Sequence, residues 1–236
     1  MEAHQHAVAV DRNREFFAGN PEYEQALERL VTYRNIRRAI EGEIRGTPRL
    51  LDIGNGGTFP YDTDLAEWIV AVDLFLEELP RASFPPNVEP RSGDALALDE
   101  PDGAYDAVLL ALVFHHLVGD TADDLLANVD RSIAEAHRVL RDGGRLIVVE
   151  SCVPEWFYRA ERVLFAPLAA LSGTRVMRHP PTLQLTAEQL TAQVGARFGD
   201  VRARQIAVGR WILQFGRRWP TRLTPARPLL LTARKA

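Results

Sequence analysis

The apolar run Leu50-Leu51-Asp52-Ile53 opens into Gly54-Asn55-Gly56-Gly57, and a second run, Ile69-Val70-Ala71-Val72, ends in Asp73. Glycines after a short strand let the backbone come close to a ligand. An acid ending the next strand can accept hydrogen bonds from both hydroxyls of a ribose. Together they predict a nucleoside pocket. A second reactive group is His115-His116, within Leu112-Val113-Phe114-His115-His116-Leu117. Histidine has an ordinary pKa suited to proton transfer near neutrality, so His115 and His116 are the candidate catalytic residues, for orienting an acceptor or taking its proton. Either ring could instead cap the following helix or pack beneath a ligand. Glu150, in Glu150-Ser151-Cys152, could touch a substrate or bridge to the His pair, and Cys152 reads as a small apolar filler. Adjacent histidines seldom direct both rings at one ion, and no metal-ligand spacing accompanies them, so no metal site is expected.

These residues need elements to position them. Apolar runs predict strands at 49–53, 69–73, 88–92, 105–111 and 145–150. Helical spacing predicts helices near 62–67, 75–79, 121–139, 154–171 and 186–196. Strands alternating with helices argue for βαβ units around a parallel sheet. Within Arg138-Val139-Leu140-Arg141-Asp142-Gly143-Gly144, a helix should end in basic residues and be stopped by the glycine pair. Ahead of the sheet, Phe16, Phe17, Tyr23, Leu27, Leu30, Ile36, Ile40 and Ile44 recur at helical spacing, with Asn20-Pro21-Glu22 as a helix start and Gly46-Thr47-Pro48 as a stop. Late in the chain, Arg178-His179-Pro180-Pro181 reads as a loop. Val201–Trp211 and Leu229–Ala233 read as a closing antiparallel pair.

The balance of residue types bounds the function. The chain has 236 residues, 46% hydrophobic and 25% charged, as an ordinary globular protein does. A net charge of −4 argues against a nucleic-acid partner, and the arginines after Arg202 read as a solvated face. One cysteine permits no intrachain disulfide. Met1 to Val10 lacks a basic stretch followed by an apolar one, and no run approaches the ~20 apolar residues that span a bilayer. The expectation is a cytoplasmic protein with no membrane partner.

Asp52-x-Gly54-x-Gly56, Asp73, Gly93-Asp94-Ala95-Leu96 after the third strand, Tyr105-Asp106-Ala107-Val108 opening the fourth, and the 138–144 segment before the fifth occur in order across residues 48–151. This series resembles the class I S-adenosylmethionine-dependent methyltransferases, of the quinone and natural-product type. The resemblance implies an α/β fold: a Rossmann-like, mostly parallel seven-stranded sheet flanked by helices. It implies one domain, with an N-terminal helical cap over 1–47, a cofactor-binding core over 48–151, a helical lid over 152–198 after strand 5, and closing strands over 199–236. It implies S-adenosyl-L-methionine as cofactor and S-adenosyl-L-homocysteine as product. Gly54, Gly56 and Gly57 would pass close to the amino-acid part of the cofactor, with Asp52 orienting the loop. Asp73 would hold the ribose, with Leu74 against the adenine. Gly93, Asp94 and Ala95 would read the adenine edge, and Leu112 would lie near the sulfonium. Thr58 stands where a glycine is common and Asn55 where a small residue is, so Asn55 could help hold the cofactor carboxylate or amine.

The implied reaction is methyl transfer to a small-molecule acceptor, with oxygen on a hydrophobic or aromatic compound suggested by the His pair. The apolar helix opened by Pro154-Glu155-Trp156-Phe157-Tyr158 would cover it, or else form the face of a homodimer. A nicotinamide enzyme is disfavoured because Phe59 fills the last glycine position of that fingerprint, and a P-loop because no Gly-Lys-Ser/Thr follows. Two alternatives stay open. One is a catalytically inactive methyltransferase-like partner subunit. The other is an S-adenosylmethionine-binding enzyme that catalyses a cyclisation without methyl transfer.

Overall fold

Continuous apolar runs bounded by glycine and proline can be buried on both faces only inside a parallel sheet covered by other elements. The computed structural model, which describes residues 30–74, 76, 79–117, 119, 121–171, 182–214 and 217–236, shows such a sheet. Strands β1 (Thr47–Ile53), β2 (Ala66–Asp73), β3 (Val88–Ser92), β4 (Tyr105–Ala111), β5 (Leu140–Cys152), β6 (Gly199–Gln205) and β9 (Arg227–Arg234) stand in the order β3-β2-β1-β4-β5-β9-β6. β9 runs antiparallel to both of its neighbours, and the other pairings are parallel. A separate hairpin pairs β7 (Trp211–Gln214) with β8 (Arg217–Pro220).

Alternation along each strand splits the core in two. Leu51, Ile53, Val70, Val72, Val108 and Val148 face one layer, with α2 (Ala122–Val139), α3 (Glu155–Leu171) and α4 (Ala187–Gly195) packed over it. Leu50, Ile69, Ala71, Leu109, Ile147 and Val149 face the other, where α1 (Val31–Ile44) contributes Ile36, Ala39, Ile40 and Ile44. α2 starts on a reciprocal cap in which Thr121 and Asp124 each bind the other's backbone N–H. α4 starts in the same way on Thr186 and Gln189.

The five predicted parallel strands and the helices at 121–139, 154–171 and 186–196 are present. Three readings are corrected. The segment 62–67 is a single 3₁₀ turn, Thr63–Leu65, and β2 already begins at Ala66. The connection after β1 is short and already holds three glycines and Pro60, so an α-helix does not fit. In its place Tyr61 and Phe59 fill the sheet face, Phe59 standing edge-on to Tyr61 and Phe84. The helix expected at 75–79 lies largely outside the described residues, which include only 76 and 79 of that segment. The glycine pair does not stop α2, which ends at Val139. Leu140 at once pairs with Tyr105, and the register shift before Ala107↔Arg145 contains Gly143 and Gly144. Gly143 has φ +73°, and a Cβ on Gly144 would lie 2.7 Å from the Arg141 carbonyl, so both glycines serve this irregularity in the strand. The closing pair exists, but its first strand ends at Gln205 and Trp211 begins the separate hairpin. Phe16, Phe17, Tyr23, Leu27, Asn20-Pro21-Glu22 and the 178–181 loop lie outside the described residues.

Candidate functional site

The strand order reverses between β1 and β4, and at such a switch point the loops leaving the carboxyl ends diverge and open a crevice. The glycine turn leaves β1 there, and its conformation explains its composition. Gly54, Gly56 and Gly57 have φ of +76°, +60° and +84°, in the left-handed region that L side chains avoid. A Cβ on Gly54 would sit 2.7 Å from Val113, the second residue past β4, whereas one on Gly56 would meet nothing within 4 Å. The turn thus presses against the His-bearing turn at Gly54 and faces open space at Gly56.

Side chains at the base of the turn fix its shape. Asp52 is buried, and its Oδ2 accepts from Asn55 Nδ2 at 3.0 Å and from the Tyr61 hydroxyl at 2.7 Å. Burial pushes the Asp52 carboxyl up to about 6, although both hydrogen bonds favour the charged form. Asn55 Oδ1 accepts from Gly57 N–H at 2.8 Å, so the one side chain links Asp52 to the tip of the turn. Asp73, ending β2, accepts from Gly56 N–H at 3.0 Å and so joins the turn to the neighbouring strand. Leu74, next to it, is exposed.

The loop after β3 begins at Gly93, whose N–H donates to the Asp73 carbonyl and where a Cβ would lie 2.8 Å from Val72. Asp94 Oδ1 accepts from Leu96 N–H at 2.8 Å, and Ala95 packs against the core. Arg91 reaches both oxygens of buried Glu100 at 2.6 and 2.7 Å, and Tyr105 donates to the same carboxylate. Arg138 of α2 donates to the carbonyls of Leu98 and Glu100, at 2.8 and 2.7 Å. This frame fixes the 93–100 loop; Tyr105 and Arg138 stand in quoted segments, but nothing in the sequence pairs them with Arg91 and Glu100.

Leu112 has φ +61°, unusual for a branched side chain, while its N–H still donates to the Val149 carbonyl at 2.7 Å. The chain turns there and enters the 3₁₀ turn Phe114–His116. His115 Nδ1 lies 2.7 Å from Glu150 Oε1, and the His115 backbone N–H donates to Glu150 Oε2 at 3.4 Å. Glu150 is buried at the end of β5 and also accepts from Ser151 N–H at 2.7 Å. Burial alone would lower the proton affinity of His115, but the Glu150 carboxylate, with a further contribution from Glu161, raises it above the ordinary histidine value. The His116 ring stands 4.1 Å from that of His115.

Glu161 was not anticipated from the sequence. It sits on the inner face of α3 with Tyr158 and Phe165. Its carboxylate accepts from Gln184 N–H at 3.2 Å, and burial raises its pKa to about 7. Gln184 donates in turn to the carbonyl and hydroxyl of Ser151, while Leu183 N–H and Leu185 O bond to His115 O and Val153 N–H. Tyr61 was also missed. Its spacing from Asp52 gives no local signal, whereas Glu161 could have been noticed as an acid on an otherwise apolar helix face. Cys152 is buried with its thiol pushed up by burial, consistent with packing. Asp106 lies at the opposite edge of the sheet, held by Arg49 N–H and Arg141.

Asp52, Gly54, Asn55, Gly56, Gly57, Asp73, Leu74, Gly93, Asp94, Ala95, Leu112, His115 and His116 therefore all gather at the carboxyl edge of β1 to β4 or in the turns that leave it. A family profile described as a methyltransferase domain matches residues 51–148. A demethylmenaquinone methyltransferase of Thermus thermophilus is 44% identical over 57 residues, 24% of this chain and 22% of that protein. One from Mycolicibacterium gilvum is 29% identical over 182 residues, 74% of each chain. The first match thus spans about a fifth of its relative and the second about three quarters. Among solved structures, an S-adenosylmethionine-dependent methyltransferase of Thermotoga maritima superimposes with a TM-score of 0.60 at 17% identity, over 94% of this chain and 98% of that one.

Proposed function

We propose that this chain, whose residues 51–148 match a methyltransferase-domain profile, uses S-adenosylmethionine to transfer a methyl group to a ring hydroxyl, or to the carbon beside it, on a hydrophobic small molecule. The observation that carries this reading is the convergence at one sheet edge of a glycine turn open at Gly56, the carboxylate of Asp73 and the His115–Glu150 pair. The residues present fit the cofactor. Gly54, Gly56 and Gly57, shaped by Asp52 and Asn55, receive its amino-acid end, Asp73 takes the ribose hydroxyls, Leu74 and Ala95 flank the adenine, and Gly93 and Asp94 meet its edge. Leu112 borders the sulfonium.

S-adenosylmethionine supplies a methyl group already activated as an electrophile, so the protein's work is orientation and handling of the acceptor proton. His115 accepts the hydroxyl proton, and the imidazolium is held by Glu150. The phenolate left behind is nucleophilic at oxygen and at the adjacent ring carbon. His116 stands against the working ring. The apolar inner face of α3, with Phe157, Tyr158 and Phe165, suits an aromatic acceptor. The quinone in the names of both relatives supports that substrate class. A single buried thiol suits a reducing, cytoplasmic setting.

The test is calorimetric titration with S-adenosylhomocysteine, with NADH as control. Binding of the first and not the second is expected. Asp73→Ala should weaken it by about 1–3 kcal/mol, the loss of a charged hydrogen-bond acceptor. Full affinity in a folded Asp73→Ala protein would remove Asp73 from the site.

A further inference from the structure

The His115 ring is held from β5 by Glu150. Glu161 of α3 is tied to the same turn through two adjacent residues, Leu183 N–H donating to the His115 carbonyl at 3.4 Å and Gln184 N–H to Glu161 at 3.2 Å. The His115 Nδ1 is engaged at 2.7 Å by a carboxylate that is itself fixed by Ser151 N–H. A carboxylate accepts only, so the shared proton belongs to the imidazole. Among the described residues, Nε2 of His115 has no hydrogen-bond partner, and the side chain keeps 15% of its surface exposed. The ring has His116 beside it from its own turn and Glu150 against Nδ1 from β5, and the charge of Glu161 acts on it from α3. Tyr158 and Glu161 stand three residues apart, on one face of the helix. The hydroxyl of Tyr158 is buried with no hydrogen-bond partner among the described residues, and Glu161 makes one bond there, from Gln184.

We infer that Glu150 is a positioning residue, which holds His115 with its proton on Nδ1 and so presents Nε2 as the proton-accepting nitrogen, and that Glu161 brings a second carboxyl to this base from the lid helix. The inference rests on the reading of His115 as the acceptor-side base. It adds that the strength of the base depends on the packing of α3. When the acceptor loses its O–H proton to Nε2, the positive ring faces Glu150 and lies within the field of Glu161, so the charge formed in the pocket is balanced inside it. In the methyl-transfer step the sulfonium S–CH₃ bond breaks, the acceptor bond to CH₃ forms, and the cofactor leaves as a neutral thioether.

The experiment is ¹⁵N-histidine NMR of the full chain across pH, with the His115 signals identified by their loss in His115→Ala. The expected result is a neutral His115 protonated on Nδ1, titrating above an ordinary histidine. In Glu150→Gln, which keeps an acceptor oxygen but removes the charge, the proton affinity of His115 should fall at least tenfold with the tautomer unchanged. Glu150→Asp should recover part of the loss, and Glu161→Gln should produce a smaller fall. A neutral ring protonated on Nε2, or a Glu150→Gln titration that superimposes on the wild type, overturns the positioning role. Unaltered S-adenosylhomocysteine binding in each variant shows that the fold and the cofactor site survive. If the NMR result stands but His115→Ala turns over a ring-hydroxyl acceptor at the normal rate, it is the base reading that fails.

Discussion

Replacing Gly54 by alanine tests the contact that brings the glycine turn and the His-bearing turn together. Two costs are expected. A side chain at φ +76° enters left-handed space, at about 1–2 kcal/mol. The new Cβ would stand 2.7 and 3.0 Å from the two γ-carbons of Val113, where carbon atoms prefer about 3.5–4.0 Å. Overpacking of this kind adds about 1–3 kcal/mol. The sum, roughly 2–5 kcal/mol, is a large part of the stability of an ordinary domain. Val113→Ala removes both clashing carbons and, taken alone, should cost about 1.5 kcal/mol for its two lost methyl groups. The double variant should therefore be more stable than the sum of the singles by about 1–3 kcal/mol, while the backbone cost persists. Gly56→Ala is the control, because its φ is +60° but its Cβ meets nothing within 4 Å, so it should lose only the backbone part and show no coupling to Val113. Urea unfolding of the wild type, the three single variants and the two doubles with Val113→Ala gives the coupling. Additivity within about 0.5 kcal/mol for the Gly54–Val113 pair would refute the contact.

The remaining predictions concern protons and turnover. Asp52 titrates near 6 when folded, above its ordinary 3.8, so folding is favoured below about pH 4 and that advantage is lost as pH rises through 6. Asp52→Asn should flatten stability across this window and gain up to about 3 kcal/mol at pH 8, read by denaturant midpoints; an unchanged pH slope would contradict the burial argument. Glu161, raised from 4.5 to about 7, has the same sign over a higher window, so Glu161→Gln should be the more stable protein at pH 8 and near parity at pH 4. His115→Ala should retain S-adenosylhomocysteine binding yet lose roughly 10²–10⁴ in turnover of a ring-hydroxyl acceptor, measured by thioether release.

Much of this molecule was legible in its residue order. The strands β1 to β5 announce themselves as apolar runs, and their glycine and acidic endings point to one sheet edge, because period and turn chemistry are local properties. The pairing of β6 with β9 could be anticipated from two apolar segments, but the intervening hairpin could not, since the lone Gly209 within Val201–Trp211 marks a break without specifying a new strand pair. The helix expected at 62–67 failed because tertiary packing chose otherwise: Ala66–Asp73 pairs along β1, and Tyr61 and Phe59 fill the space that a helix would occupy.

The sequence by itself determined the α/β alternation, the glycine turn and the acids at the ends of β1, β2, β3 and β5. The tertiary structure alone decided which groups share a proton or a buried charge. The hydroxyl of Tyr61 reaches Asp52 only because the short crossover folds back over β1. Glu150 meets His115 across 35 positions because β4 and β5 are neighbours, and Glu161 joins them only when α3 packs on that edge. Such pairings depend on loops closing over long separations and on burial that strengthens charges. Neither is written in any window of residues.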